Sequence, residues 1–355
     1  MKILGIETSC DETAAAVVED GTKILSNVVA SSAEMQAKFG GVIPEQAARQ
    51  QVRSVIPVVQ EALSSAQSLV PSALDCIAVT VGPGLIGSLL VGVETAKTLS
   101  YLWKKPVIPV NHLVAHIYAN WISQNLPKFP ALALVVSGGH TDLVLMKDHG
   151  KIEWIGGTRD DAAGEAFDKS ARLLGLPYPG GPSIAAAAAN FQPPAPNFQL
   201  NLLPRPMIDE DNFDFSFSGL KTAVLRETEK LENRGEKLDK EVRSWNKSNL
   251  QTSRLAAETQ EAIVDVLVKK TLDAVKKFKP KSLLLAGGVS ANSRLREKFQ
   301  LAINHQSLAI DFRVPDPKLC TDNAAYIASY AFFNNKPAPL DKISANAELT
   351  ITDSV

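Results

Sequence analysis

The sequence predicts an α/β fold made of two similar halves, with helices covering both faces of each sheet. Three observations carry that expectation. Residues 3–18 read as a strand, a tight polar turn and a second strand. Residues 132–146 repeat the plan, so that Ser137 falls on Ser9 and Thr141 on Thr13 without a gap. Each hairpin is followed by a helical stretch, then by an apolar strand that ends in glycines and opens a helix. Residues 76–84 run into 85–102 in this way, and residues 282–292 into 293–303. An internal duplication is the economical account of such self-similarity, although any α/β chain shows units of this kind.

Taken in order, Met1–Glu7 reads as the first strand; a signal peptide would need a longer apolar core before any acid. Ser9, Cys10, Asp11 and Glu12 make the turn, and Ala14–Val18 returns. The apolar run 111–119 is helix-compatible. Residues 162–174 form an amphipathic helix stopped by Gly175, and Gly180-Gly181-Pro182 opens an alanine-rich helix with proline in its first turn. Residues 191–213 hold five prolines and little periodicity, which predicts a long surface loop. The charge-dominated stretch 226–249 reads as a solvated helix or a mobile insertion. Residues 251–278 form a long helix with an apolar stripe. After Phe333 the chain is polar and weakly patterned, and is expected to be disordered or to lie along the surface. The predicted division is residues 1–111 plus about 324–340 in one domain, 112–323 in the other, and a tail over 341–355.

Hydrophobic content of 45% and charged content of 21% describe an ordinary globular chain, and no apolar run is long and clean enough to span a bilayer. Three scattered cysteines predict no disulfide framework and fit a reducing, cytoplasmic setting. A net charge of −1 argues against a strong nucleic-acid binder acting alone.

His112 and His116 stand four residues apart in the run 111–119, so a helix points both imidazoles the same way. That is how one helix offers a metal two ligands; Asp322 is the candidate third. The turn Ser137-Gly138-Gly139-His140-Thr141, and Gly287-Gly288 before a helix, suit phosphate: backbone N–H groups converge there and no Cβ blocks approach. Glu165 and Asp168 lie three apart on one helix face and could hold ribose hydroxyls, or simply form a solvated face with a salt bridge. Asp11 and Glu12 lie near the expected phosphate site, where they could act on a nucleotide or bind magnesium; Glu12 could equally be a plain turn acid.

The run of motifs resembles the TsaD family of tRNA threonylcarbamoyladenosine transferases, once labelled O-sialoglycoprotein endopeptidases, within the actin, sugar-kinase and heat-shock ATPase superfamily. The resemblance covers roughly residues 2–333. It rests on the segments 5–13, Gly82-Pro83-Gly84, 111–116, 137–141, 161–169, 178–182, 215–222, 287–292 and 320–323. It implies a duplicated actin-like fold with the ligand cleft between its domains. His112, His116 and Asp322 then match metal ligands, with Fe(II), Zn(II) or Mg(II) as the ion. Val135, Val136, Ser137, Gly138 and Gly139 match a loop on the nucleotide's phosphate and acyl part. Asp168 and Gly181 match ribose contacts and Asn292 an adenine-side contact. Glu165, Gly287, Gly288 and Asp322 complete the expected nucleotide site, and Asp11, Glu12 and His140 the catalytic set. The implied ligand is ATP, ADP or threonylcarbamoyl-AMP. The implied partners are a tRNA anticodon loop and TsaB-like and TsaE-like proteins, with a TsaC-like enzyme supplying the adenylate. Two other readings are a metal-dependent endopeptidase and a non-catalytic nucleotide-binding scaffold. The first lacks the acid that zincin proteases carry between their histidines, since Leu113 follows His112.

Overall fold

The computed structural model describes residues 1–32, 36, 41–123, 125–193, 199–233 and 250–355. The first half runs β1 (Lys2–Glu7), β2 (Glu12–Glu19), β3 (Lys23–Ser31), α1 (Pro44–Ser65), β4 (Cys76–Gly82), α2 (Ile86–Trp103) and β5 (Val107–Asn111). Then α3 (His112–Tyr118) leads into β6 (Ala131–Val136), β7 (Thr141–Asp148) and β8 (Lys151–Gly157). Helices α4 (Ala163–Leu173), α5 (Gly180–Ala189), α6 (Ser218–Asn233) and α7 (Leu250–Phe278) follow. The chain continues through β9 (Ser282–Ala286), α8 (Ser293–His305), β10 (Asp311–Arg313) and α9 (Ala325–Phe333).

The two sheets have one topology. Strand order is β3-β2-β1-β4-β5 in the first and, read from its other edge, β8-β7-β6-β9-β10 in the second. Even the register repeats. Ile3 pairs with Val18 and Glu7 with Ala14 in the first hairpin; Ala131 pairs with Met146 and Val135 with Asp142 in the second. The duplication read from the sequence is therefore present residue by residue.

Period-two alternation explains why both faces are apolar. Ile3 faces a cluster with Ala325, Ile327 and Ala328 of α9, whereas Leu4 and Ile6 face Val58 and Val59 of α1 and Val93 of α2. In the second sheet Leu132, Leu134 and Val136 face α4, α5, α7 and α8, while Ala131, Ala133 and Val135 face Leu113, Val114 and Ile117 of α3. Helix α3 is thus wedged between the two sheets, with Ala115 and Ala119 in the first-sheet cluster.

One expectation is revised and three are sharpened. Each hairpin is followed by a third strand, β3 or β8, before any helix; both are edge strands whose half-exposed residues give no apolar run. The tail is ordered: Ile343 and Ile351 are buried and Ala338 pairs with Val107. Of the charged stretch, 226–233 belongs to α6, and 234–249 lie outside the described residues. The proline-rich loop carries no helix or strand where described, yet it is bolted down: Lys270, itself 1% exposed, donates to the carbonyls of Glu210 and Asn212.

Candidate functional site

The site is assembled where the ends of β1, β4 and β5 meet the polar segment before α9. Asn111 ends β5 and caps α3, its Oδ1 accepting from the amides of Leu113 and Val114. The cap starts the helix at His112, which turns His112 and His116 onto one face. Asp322 reaches that face from the other side. Asp322 does not open α9: the helix begins at Ala325, and Asn323 Oδ1 accepts the Ala325 amide. Asp322 is therefore free of capping, and its carboxylate turns to the histidines.

His112 Nε2 lies 3.1 Å from His116 Nε2. Asp322 Oδ1 lies 3.7 Å from the first and 3.4 Å from the second. All three donors fall within 4.8 Å of one another. Around an ion with bonds of about 2.1 Å, neighbouring donors sit roughly 2.9–3.4 Å apart, so the residues fit one divalent metal. Charge points the same way. Glu7 is fully buried behind His112, and with Asp322 it places two carboxylates beside two imidazoles. A buried and a partly buried negative charge need a counter-charge, and a dication between the imidazoles would supply it. Without one the histidine itself takes up charge. Burial opposes that, but the carboxylates of Glu7 and Asp322 raise His112 to about 9. Burial likewise opposes ionisation of Asp322, while His112 and His116 hold it down at about 2.

Glu7 was not singled out in the sequence, although an acid closing an apolar strand is a signal of a buried, partnered charge. It accepts from Ser9 N at 2.5 Å and Thr80 Oγ1 at 2.5 Å and lies 3.0 Å from His112 Nδ1. Gln51 of α1 was missed as well. It is 1% exposed, and its Nε2 donates to the carbonyls of Cys10 and Glu12, fixing the turn that carries Asp11 and Glu12. Ser88 Oγ of α2 donates to the same Cys10 carbonyl. The Glu12 carboxyl is pushed up to about 9 by burial, then by the charges of Asp322 and Asp11.

The second hairpin carries the repeat of this turn, Ser137–Thr141. Two of the amides expected to face a ligand are used internally: Ser137 N donates to the His140 carbonyl and His140 N to Ser137 Oγ. The amides of Gly138 and Gly139 have no acceptor among the described residues, and a Cβ at either would meet nothing within 4 Å. The turn therefore presents two open donors. His140 is pushed down to about 4 by burial and by the charges of His112 and His116.

The remaining expected residues divide. Asp168 Oδ1 accepts from Gly180 N at 2.6 Å, and Gly181 beside it faces open space. Gly288 is equally open, whereas Gly287 sits in a left-handed conformation with a φ of 84° against the Val136 carbonyl. Glu165 pairs with Lys169 at 2.8 Å, the ordinary salt bridge that the sequence left open. Asn292 caps α8 through Leu295 N, and its Nδ2 donates to Gln260 Oε1. Val135 and Val136 are wholly buried and offer only backbone.

Comparison with known proteins adds an independent line. The chain matches the TsaD family, tRNA N6-adenosine threonylcarbamoyltransferase, over residues 23–329. It is 50% identical over 346 residues to the enzyme of that name from Thermomicrobium roseum, covering 94% of this chain and 92% of the relative. It is 47% identical over 346 residues to the one from Enterococcus faecalis, covering 98% and 94%. Among solved structures, component A of the (R)-2-hydroxyglutaryl-CoA dehydratase of Acidaminococcus fermentans superposes with a TM-score of 0.51 at 14% identity, covering 94% of this chain and 98% of that one. Full-length HypF superposes with a TM-score of 0.58 at 13% identity, covering 94% and 55%. At such identities the likeness concerns the fold alone.

Proposed function

The chain belongs to the TsaD family of tRNA N6-adenosine threonylcarbamoyltransferases, and from that premise we propose how its actin-like cleft serves the reaction. The chain is an acyltransferase that modifies tRNA. In our reading the donor is threonylcarbamoyl-AMP, and the acceptor is N6 of the adenosine 3′ of the anticodon in tRNAs reading codons that start with A. The observation that carries the reading is the convergence of His112, His116 and Asp322; Gly138 and Gly139 add two open amides in the matching turn of the other half.

The acceptor is an exocyclic amine whose lone pair is delocalised into the purine ring, so the acyl group must arrive activated, as a mixed anhydride with AMP. His112, His116 and Asp322 hold one divalent ion, Fe(II) or Zn(II) by ligand type, or Mg(II). A divalent ion there supplies Lewis-acid charge near the acyl and phosphoryl oxygens. Gly138 and Gly139 donate to oxygens that gain charge as the amine adds and AMP departs; one such donor is commonly worth about a hundred- to a thousandfold in rate. Asp168 and the backbone at Gly181 hold the ribose, and Gly288 and Asn292 flank the base. Asp11, Glu12 and His140 are the groups proposed to take the amine's proton.

No described helix is long and apolar enough to cross a membrane; the three free cysteines fit a cytoplasmic setting. Partners proposed are TsaB-like and TsaE-like proteins, with a TsaC-like enzyme supplying the adenylate. The decisive test is single-turnover transfer from synthetic threonylcarbamoyl-AMP to unmodified tRNA, read as modified nucleoside by mass spectrometry. The absence of any modified adenosine under every combination of partners would refute the activity.

A further inference from the structure

The segment after α9, expected to be disordered or to lie along the surface, runs back along the first domain to the site. At its start Ala338 pairs with Val107, and Ile343 enters the core shared by β1, α1 and α2. Asn346 N then donates to the Val81 carbonyl at 2.7 Å. The neighbouring Gly82 leaves room for this: a Cβ there would meet Asn346 O at 1.8 Å. Ile351 is buried among Leu113, Val114 and Ile117 of α3 and the facing strands of the second sheet. On either side of Ile351 the carbonyls of Thr350 and Asp353 accept from Asn111 Nδ2 at 2.8 Å and 3.3 Å. Asp353 Oδ2 closes that turn, accepting from Thr350 N at 2.6 Å and Thr350 Oγ1 at 2.9 Å.

Asn111 thus has two jobs at once. Its Oδ1 caps α3, one residue before His112, and its Nδ2 is gripped by the tail. An amide side chain held at both ends has no rotational freedom left. The cap therefore fixes where α3 begins and how its first turn is oriented. We propose that residues 346–353 form a strap that positions Asn111 and, through the start of α3, sets His112 and His116 for metal binding. Asn111 is in this account a positioning residue and not a ligand. The proposal rests on the metal assignment made above.

The test is Co(II) titration of the full chain, followed by visible absorption and checked by chelator competition. Asn111→Ser keeps a capping oxygen and removes the grip. The expected loss of Co(II) affinity is about tenfold, the lower end for residues that orient metal ligands. Asp353→Ala opens the Thr350 turn and should shift affinity in the same direction by less. Because both act through one contact, the double variant should bind Co(II) no more weakly than Asn111→Ser alone. Leu267→Ala, in the core of the second sheet and outside the tail, should lower the melting temperature and leave Co(II) affinity unchanged. Unchanged affinity in both strap variants, or losses that add in the double variant, would overturn the strap. A parent chain that takes up no Co(II) at all would instead overturn the metal assignment, and the strap with it.

Discussion

Glu7 Oε2 lies 3.0 Å from His112 Nδ1, and this contact decides which nitrogen of the ring faces Asp322. A carboxylate on Nδ1 holds the proton there and leaves the Nε2 lone pair free toward His116 and Asp322. The carboxylate is itself fixed by Ser9 N and Thr80 Oγ1, so it cannot swing away. Replacing Glu7 by Gln keeps the volume and an acceptor oxygen but removes the charge. We expect metal affinity to fall about ten- to a hundredfold, measured by competition with a chromogenic chelator. Affinity equal to the parent would show that Glu7 serves folding alone.

The metal set is tested directly by His112→Ala, His116→Ala and Asp322→Asn. Each should lower bound metal in purified protein toward zero. Because Asp322 caps no helix, its loss should leave helical content unchanged, which circular dichroism checks. Parental metal content in all three variants would move the site elsewhere.

Two adjacent glycines separate packing from binding. A Cβ at Gly180 would meet Asp168 Cα at 2.5 Å, whereas at Gly181 it would meet nothing within 4 Å. Gly180→Ala should therefore lower the melting temperature. Gly181→Ala should leave it unchanged and weaken ADP binding. Asp168→Ala should weaken ADP by roughly ten- to a hundredfold, the loss of a charged acceptor worth about 1.5–3 kcal/mol. Calorimetry reads both. If Gly181→Ala and Asp168→Ala bind ADP like the parent, the ribose lies elsewhere.

Much of this was legible because the chemistry is local. His112 and His116 needed only helical spacing, and the Ser9–Thr13 and Ser137–Thr141 turns announced a duplication that the two sheets repeat in order and register. What escaped was set by tertiary contact. Strands β3 and β8 are edges, so nothing forces an apolar run. Gln51 reads as one more polar residue on a charged helix until the Cys10 and Glu12 carbonyls are brought to it. The sequence leaves the tail open between disorder and a course along the surface because its anchors, Ile343, Ile351 and the backbone at Asn346, are too far apart to form a pattern.

Asp160 offers a pH prediction away from the metal. Burial opposes its ionisation, but hydrogen bonds from Ser216, Phe217 and Ser218 prevail and hold its carboxyl below the usual range. A depressed folded-state pKa stabilises the fold above the unfolded value, about 3.9, and the benefit is lost as pH falls through the folded value. Its exposure limits the effect to on the order of 1 kcal/mol. Asp160→Asn should melt below the parent at pH 7, and the gap should close below about pH 4. A gap that persists into acid would assign the loss to geometry and not to charge.

Partner dependence follows from the surface. Among the lysines of 269–281, Lys270 is buried, and Lys269 and Lys276 both pair with Asp273. Lys277 lies over the rings of Phe213 and Phe278. With a net charge of −1 overall, the chain has little general attraction for a polyanion. The target adenine must also leave its stack to reach the cleft, which an anticodon loop permits more readily than a duplex. We therefore expect weak, salt-sensitive tRNA binding by the chain alone and slow transfer. Addition of TsaB-like and TsaE-like proteins should restore multiple turnover. Transfer assays with and without those proteins, at two salt concentrations, decide it. Full multiple turnover by this chain alone would refute the requirement for partners.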